Sequence, residues 1–227
     1  MKKKYSILKL IFLIIVAILV ISCKKEDGIN NTITDIEGNV YYIITIGTQV
    51  WMAENLKTTK YRNGDPIPNI SDSMSWTKLT KGAYCDYNNS PDTSKTYGKL
   101  YNWYAVNDSR NIAPTDWHIP TDADWTILIN YLGGGNVAGG KLKAASTLYW
   151  NTPNTGASNR SGFTAFPGGY RDELGVYYNL GKGALFWSAT ESNLDSAYHR
   201  FISYDLDDVI RNQYYKKSGF SVRCLRD

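Results

Sequence analysis

The feature that most constrains this chain is a run of twelve uncharged apolar residues, Leu10–Ile21, preceded by Met1-Lys2-Lys3-Lys4 and closed by Ser22-Cys23. A helix that spans the hydrocarbon core needs roughly 20 such residues. Twelve suits the apolar core of an export signal, which runs about 7–15 residues. The run therefore divides the chain. Residues 1–22 are read as a removable leader, and the folded part must be built from the residues after it.

The string Val20-Ile21-Ser22-Cys23 resembles the lipobox of bacterial lipoproteins, with Val in place of the usual Leu three positions before the cysteine. The resemblance implies diacylglyceryl transfer to the Cys23 thiol, cleavage after Ser22, and palmitoyl-class chains that hold the protein to the outer membrane. One acyl chain anchors only marginally, which is why such proteins carry two or three. The string Lys25-Glu26-Asp27 resembles the surface-export signal of Bacteroidetes lipoproteins. It implies display on the cell surface, with the periplasmic face as the alternative.

Removing the leader changes the charge reading. Its four lysines come off 25 basic residues, leaving 21 against 21 acids, so the mature part is formally neutral. A neutral chain without a Lys/Arg stripe argues against nucleic acid as a partner. With Cys23 committed to lipid, Cys85 and Cys224 remain. In an exported domain such a pair points to a disulfide; the alternative is two buried free thiols.

Residues 23–33 are polar and read as a lipidated tether, and 34–227 as one domain. Val40–Ile46 is β-branched and aromatic, hence a strand, and Gly47-Thr48 suits a type II′ turn into a second strand, Gln49–Met52. Glu54-Asn55-Leu56 leads into a long irregular stretch. The spacing of Leu100, Trp103, Tyr104 and Val106 predicts a helix over 98–106. A second helix is signalled by Thr121 as N-cap, acids at 122 and 124, and Trp125, Leu128, Ile129 and Leu132 on one face. Gly133-Gly134-Gly135 reads as its stop and Gly139-Gly140 as a turn. Segment 149–169 reads as loop, and the last 45 residues as four short strands separated by turns. The class is α+β, two helices packed with antiparallel strands and many irregular loops, with the terminal strands in a shared sheet.

Seven strings in order resemble the Fibrobacter succinogenes major paralogous domain family. They are Gly47-Thr-Gln-Val-Trp-Met-Ala-Glu-Asn-Leu56, Gly98-Lys-Leu-Tyr-Asn-Trp-Tyr-Ala-Val106, Trp117-His-Ile-Pro-Thr121, Gly162-Phe163, Pro167-Gly-Gly-Tyr-Arg171, Phe186-Trp-Ser-Ala-Thr190 and Gly219-Phe-Ser-Val-Arg-Cys224. More distantly, the His118-Ile-Pro-Thr-x-x-x-Trp125 and Gly219-Phe-Ser-Val-Arg223 strings resemble the formylglycine-generating sulfatase-modifying family, which implies a C-type-lectin-like fold. Neither resemblance brings a chemistry.

Histidines number two, His118 and His199, and both read as structural. No catalytic constellation, metal site or cofactor is read, and the chain is expected not to be an enzyme. The oxygen-rich strings Asp205-Leu-Asp-Asp208 and Asn151-Thr-Pro-Asn154 are the suppliers a calcium ion would need. Trp51, Trp103, Trp125 and Trp187 are expected in the core. The expected function is binding or adhesion, with a glycan or protein ligand reached by Tyr170, Arg171, Glu191 and Asn193. The alternatives are a structural envelope component and an enzyme of unknown reaction.

Overall fold

A computed structural model of the chain describes residues 31–227. The leader, the Cys23 lipidation site and most of the tether lie outside the described residues. Strand β1 (Thr32–Thr34) already pairs with β2 (Val40–Ile46), placing Ile33 opposite Tyr41. Apolar Ile33 packs on the core, which a reading of polar residues overlooks.

The hairpin of β2 and β3 (Gln49–Met52) forms as its sequence predicts, with Gly47 at φ +62°, the sign a type II′ turn needs first. The last strand, β12 (Leu225–Arg226), lies between β3 and β6 (Trp117–His118), so the order is β1-β2-β3-β12-β6, antiparallel throughout. The two ends of the domain thus share a sheet. A second five-stranded sheet contains β7 (Gly168–Arg171), β8 (Tyr177–Leu180), β9 (Gly183–Glu191), β10 (Ser196–Ser203) and β11 (Val209–Tyr215). Its order is β11-β10-β9-β7-β8, antiparallel except between β7 and β9. Short strands β4 (Tyr84–Cys85) and β5 (Leu100–Tyr101) make a third pairing.

Among the described residues five α-helices fill the connections: α1 (Ser73–Thr77), α2 (Pro91–Tyr97), α3 (Trp103–Val106), α4 (Asp122–Tyr131) and α5 (Gly135–Leu142). In α4 the capping box is complete: Thr121 Oγ1 accepts from Asp124 N–H, and the Asp124 carboxylate accepts from Thr121 N–H. The helix expected over 98–106 is shorter. Leu100 and Tyr101 pair with Cys85 and Tyr84, and Asn102 caps a single turn from Trp103. Gly139-Gly140 is not a turn but the interior of α5, where the missing side chains let the helix lie on the backbone of Asp207 and Asp208.

All seven tryptophans are buried. They fall into three apolar clusters, two of them large. One gathers Trp51, Trp125, Phe163 and Phe186 beside α4 and α5. The other gathers Tyr101, Trp187, Phe220 and Trp103. The C-terminal segment runs between these two with the period of an extended chain. Phe220, Val222 and Cys224 enter one cluster, while Arg223 stacks on Phe163 and Phe186 of the other and Leu225 joins it.

Candidate functional site

The residues expected to meet a ligand do not form one surface. Tyr170 and Arg171 are neighbours on β7 and therefore point to opposite faces. Arg171 is fully buried, not exposed: its guanidinium lies 4.5 Å from the Trp76 ring and 4.9 Å from Tyr177. It donates to the carbonyls of Ile70 (2.6 Å), Ser71 (2.9 Å) and Gly175 (3.1 Å). That is a structural clamp. Tyr170 is half-buried against Tyr178, Tyr214 and Phe220. Glu191 is exposed and pairs with Lys216 at 2.9 Å. Asn193 makes a turn, its Oδ1 accepting from the N–H groups of Asp195 and Ser196. Among the described residues, no hydrogen bond, ion pair or ring contact joins Tyr170 or Arg171 to Glu191 or Asn193.

The expected Cys85–Cys224 disulfide is absent; both thiols are free and buried. They sit in different clusters, Cys85 with Trp76 and Tyr87, Cys224 with Met52 and Trp117. Burial pushes the Cys85 thiol up to about 11 and Cys224 higher still, so neither presents a thiolate. His118 Nδ1 meets Asp227 at 2.6 Å and Nε2 meets Asp124 at 3.4 Å, which ties the last residue to the start of α4. No group of three His, Cys, Asp or Glu side chains converges as a metal site among the described residues. The two oxygen-rich loops considered for calcium do approach one another, but a lysine links them. The buried Lys143 ammonium donates to Thr155 O (2.6 Å), Leu206 O (2.7 Å) and Ser203 O (2.9 Å).

A cleft of about 440 Å³ lies elsewhere, between segment 80–82 and the turn after α3. Its walls are Thr80, Lys81, Gly82, Trp103, Tyr104, Asn107, Asp108 and Arg110. Asn102 builds it. The Asn102 side chain accepts from Ala83 N–H at 2.9 Å and donates to Lys81 O at 2.8 Å, fixing the loop to the start of α3. Trp103 is held by a bond from Nε1 to Ser188 O (2.9 Å) and covered by the Lys216 ammonium. Asp108 receives two bonds from the Arg110 guanidinium, at 2.9 and 2.8 Å, and a third from the Arg110 backbone N–H at 3.0 Å, and Arg110 reaches Asp65 at 3.1 Å. Beneath, the Arg110 guanidinium stacks 3.8 Å from the Tyr61 ring.

Tyr61 is fully buried, with its hydroxyl facing Asp108 and Arg110. Burial, and then the Asp108 charge, push that hydroxyl up to about 12. Gly82 is required here: a Cβ would fall 2.1 Å from the Tyr61 hydroxyl and 2.9 Å from Ala105 Cα. Aromatic walls with a few converging polar groups are the usual make-up of a small-molecule site. Two smaller concavities have less to offer. In that of about 240 Å³, Arg62 donates to the carbonyls of Ala113, Pro114 and Trp117. In that of about 270 Å³, Lys57, Lys95 and Lys99 are held by Glu54, Asp92 and Asp86.

Sequence reasoning missed the cleft because half of it comes from the stretch read as irregular. The signal on the other side was Trp103-Tyr104 followed closely by Asp108 and Arg110.

A family model described as the Fibrobacter succinogenes major domain matches residues 44–226. The chain belongs to that family. The Fibrobacter succinogenes major domain here runs from the middle of β2 to β12 and includes every residue of the cleft wall. Strings of this chain that lie far apart in sequence are bonded to one another inside the fold. Asn55 of the first accepts from Arg223 of the last at 2.7 Å, and Trp125 Nε1 donates to Trp187 O at 3.3 Å. No curated protein and no solved structure matches the chain.

Proposed function

We propose that this chain is an exported binding module, held to the outer membrane by lipid on Cys23 and displayed on the cell surface, with the Trp103–Tyr104–Arg110 cleft as its ligand site. The observation that carries the reading is the cleft itself: the aromatic walls of Trp103 and Tyr104 and the ion-paired rim of Asp108 and Arg110 meet there. The leader ending at Ser22-Cys23 supports export and anchoring. The terminal strands in one sheet and the capped helix α4 support a C-type-lectin-like arrangement. Among the described residues no helix is long and apolar enough to cross a membrane.

The test has two parts. Cells fed labelled palmitate should label the wild-type chain and not Cys23→Ser, and protease added to intact cells should remove the domain. A glycan and peptide array probed with the full chain should give hits that Tyr104→Ala weakens. A chain that stays unlabelled, or hits indifferent to Tyr104, would count against the reading.

A second reading, a structural partner in the envelope, is favoured by one patch. On the edge strand β8, Tyr178 and Leu180 lie on one face after Val176, exposed by 43%, 37% and 45%. Stable co-purification with an envelope protein, lost on Tyr178→Glu, would support it.

A further inference from the structure

A group of tyrosines on the second sheet lies apart from the cleft and shares no residue with its wall. We propose that the surface formed by Tyr170, Tyr178 and Tyr214 beside Glu173 is a second binding site, one that takes a small organic ammonium compound. It does not depend on the cleft being a ligand site.

Strand register builds the surface. Tyr170 of β7 stands directly opposite Tyr178 of β8, with ring centroids 5.5 Å apart and planes tilted by 30°. Tyr214 of β11 meets the Tyr170 ring edge-on at 5.9 Å, and Phe220 backs Tyr170 at 5.6 Å. Tyr170 and Tyr214 are half-buried while Tyr178 is exposed, so the rings step down from a rim. The face of a tyrosine ring carries the negative part of its quadrupole and attracts a cation that lies over it.

Charge decides the class of ligand. Asp172 and Glu173 lie in the loop between β7 and β8, and neither is in an ion pair among the described residues. Asp172 is buried, its Oδ1 accepting from the N–H groups of Leu174 and Val176. Glu173 is half-buried, and its Oε2 is shut from solvent with no hydrogen-bond partner. Both charges reach the rings. Burial comes first in raising the Tyr170 and Tyr214 hydroxyls above their usual range, and the Asp172 and Glu173 carboxylates raise them as well. The neighbouring cations are engaged elsewhere. Arg171, on the other face of β7, holds the carbonyls of Ile70 and Ser71. Lys216 Nζ meets Glu191 and the carbonyl of Leu194, and Lys217 Nζ meets that of Thr77. His199, packed behind Tyr214, is kept neutral by burial. Aromatic faces beside two acids without a cation complement a positive charge and repel an anion.

The experiment is an NMR titration of the isotope-labelled full chain in maltoside micelles, with choline and with dimethylbutanol, its isostere in which a quaternary carbon replaces the nitrogen. The amides of Glu173 and Tyr178 report on the tyrosine surface, and those of Gly82 and Tyr104 on the cleft. Choline should shift the first pair at about tenfold lower concentration than the isostere, the ratio expected of one cation over aromatic faces. Added salt should weaken the choline response. Glu173→Gln should bring choline towards the isostere. Tyr178→Leu, at an exposed position, keeps an apolar side chain and should lose the preference, whereas Tyr178→Phe should keep it. An equal response to both probes, or a preference that survives both Glu173→Gln and Tyr178→Leu, would overturn the inference. So would silence at Glu173 and Tyr178; shifts confined to Gly82 and Tyr104 would overturn it while leaving the cleft as a site.

Discussion

At the scale of single residues, buried cations hold this protein together where a disulfide was expected to. Arg171, Arg223 and Lys143 are each fully buried; Arg171 and Lys143 are satisfied by backbone carbonyls, and Arg223 by the carbonyls of Phe163 and Thr164 together with the Asn55 side chain. Replacing Arg171 by Met keeps much of the volume but strands the carbonyls of Ile70, Ser71 and Gly175. Losing bonds to a charged donor and leaving acceptors unsatisfied should cost about 3 kcal/mol, read as a fall in the urea midpoint. Lysine should not rescue, because one ammonium cannot fill a planar slot between two rings. His199 gives a pH-dependent counterpart. It is packed by Trp187, Tyr214 and Phe220, and burial, then Arg200, push it down from 6.5 to about 4. Between those values the unfolded chain binds a proton that the folded chain refuses. Stability therefore rises with pH across that window and is lost as pH falls from about 6.5 towards 4, by at most ~3 kcal/mol. Urea midpoints between pH 7 and 4.5 should show the slope, and His199→Gln should flatten it. Asp122 and Asp124, whose values are lowered, act only below the ordinary carboxylate range and leave this window clear. Neither Cys85 nor Cys224 should react with a thiol reagent until the chain unfolds.

At the scale of elements, what the sequence reveals depends on where the deciding contacts lie. Helix α4 was legible to within its cap, because the Thr121–Asp124 reciprocity and the apolar face are local. Leu100 fits a helical face as well as Trp103 does, yet it belongs to a strand because Cys85, fifteen residues away, supplies its partner. Gly139-Gly140 misled for a related reason. Glycine disfavours helix interiors by about 1 kcal/mol, so the pair reads as a break. Here close approach decides: a Cβ at Gly140 would lie 1.9 Å from Asp207 Oδ1 and 2.3 Å from Gly156 O. Gly140→Ala should therefore destabilise despite its better propensity, by about 2 kcal/mol and roughly 5 °C in Tm. Asn136→Ala, exposed in the same helix, is the control and should leave Tm unchanged or higher. The cleft was illegible for the same reason as Leu100: its two walls come from segments some twenty residues apart, one of which has no periodicity to read.

At the scale of the whole molecule, the fold is closed by its last seven residues. The shared sheet was legible, since apolar terminal strands in a chain of this length need partners. What alternation alone does not reveal is that Phe220–Leu225 separates two cores and feeds both. Ser221–Leu225 is buried throughout, and β12 is the only bridge between β3 and β6 in their sheet. Removing residues 221–227 takes away Val222, Cys224 and Leu225, each worth about 1.5–3 kcal/mol of burial. It also takes the Arg223 cation that binds Asn55, Phe163 and Thr164. It exposes the edge of β3 as well, including Trp51. Together these losses are comparable to the 5–15 kcal/mol by which domains are usually stable. The shortened chain should show no cooperative urea transition and no near-UV dichroism from its tryptophans. Removing only Arg226 and Asp227, which are exposed, loses one antiparallel pair with Trp117 and the Asp227 bond to His118. That chain should keep both signals at a lower midpoint. If the two truncations behaved alike, closure by the terminal strand would not be what makes the two sheets one cooperative unit.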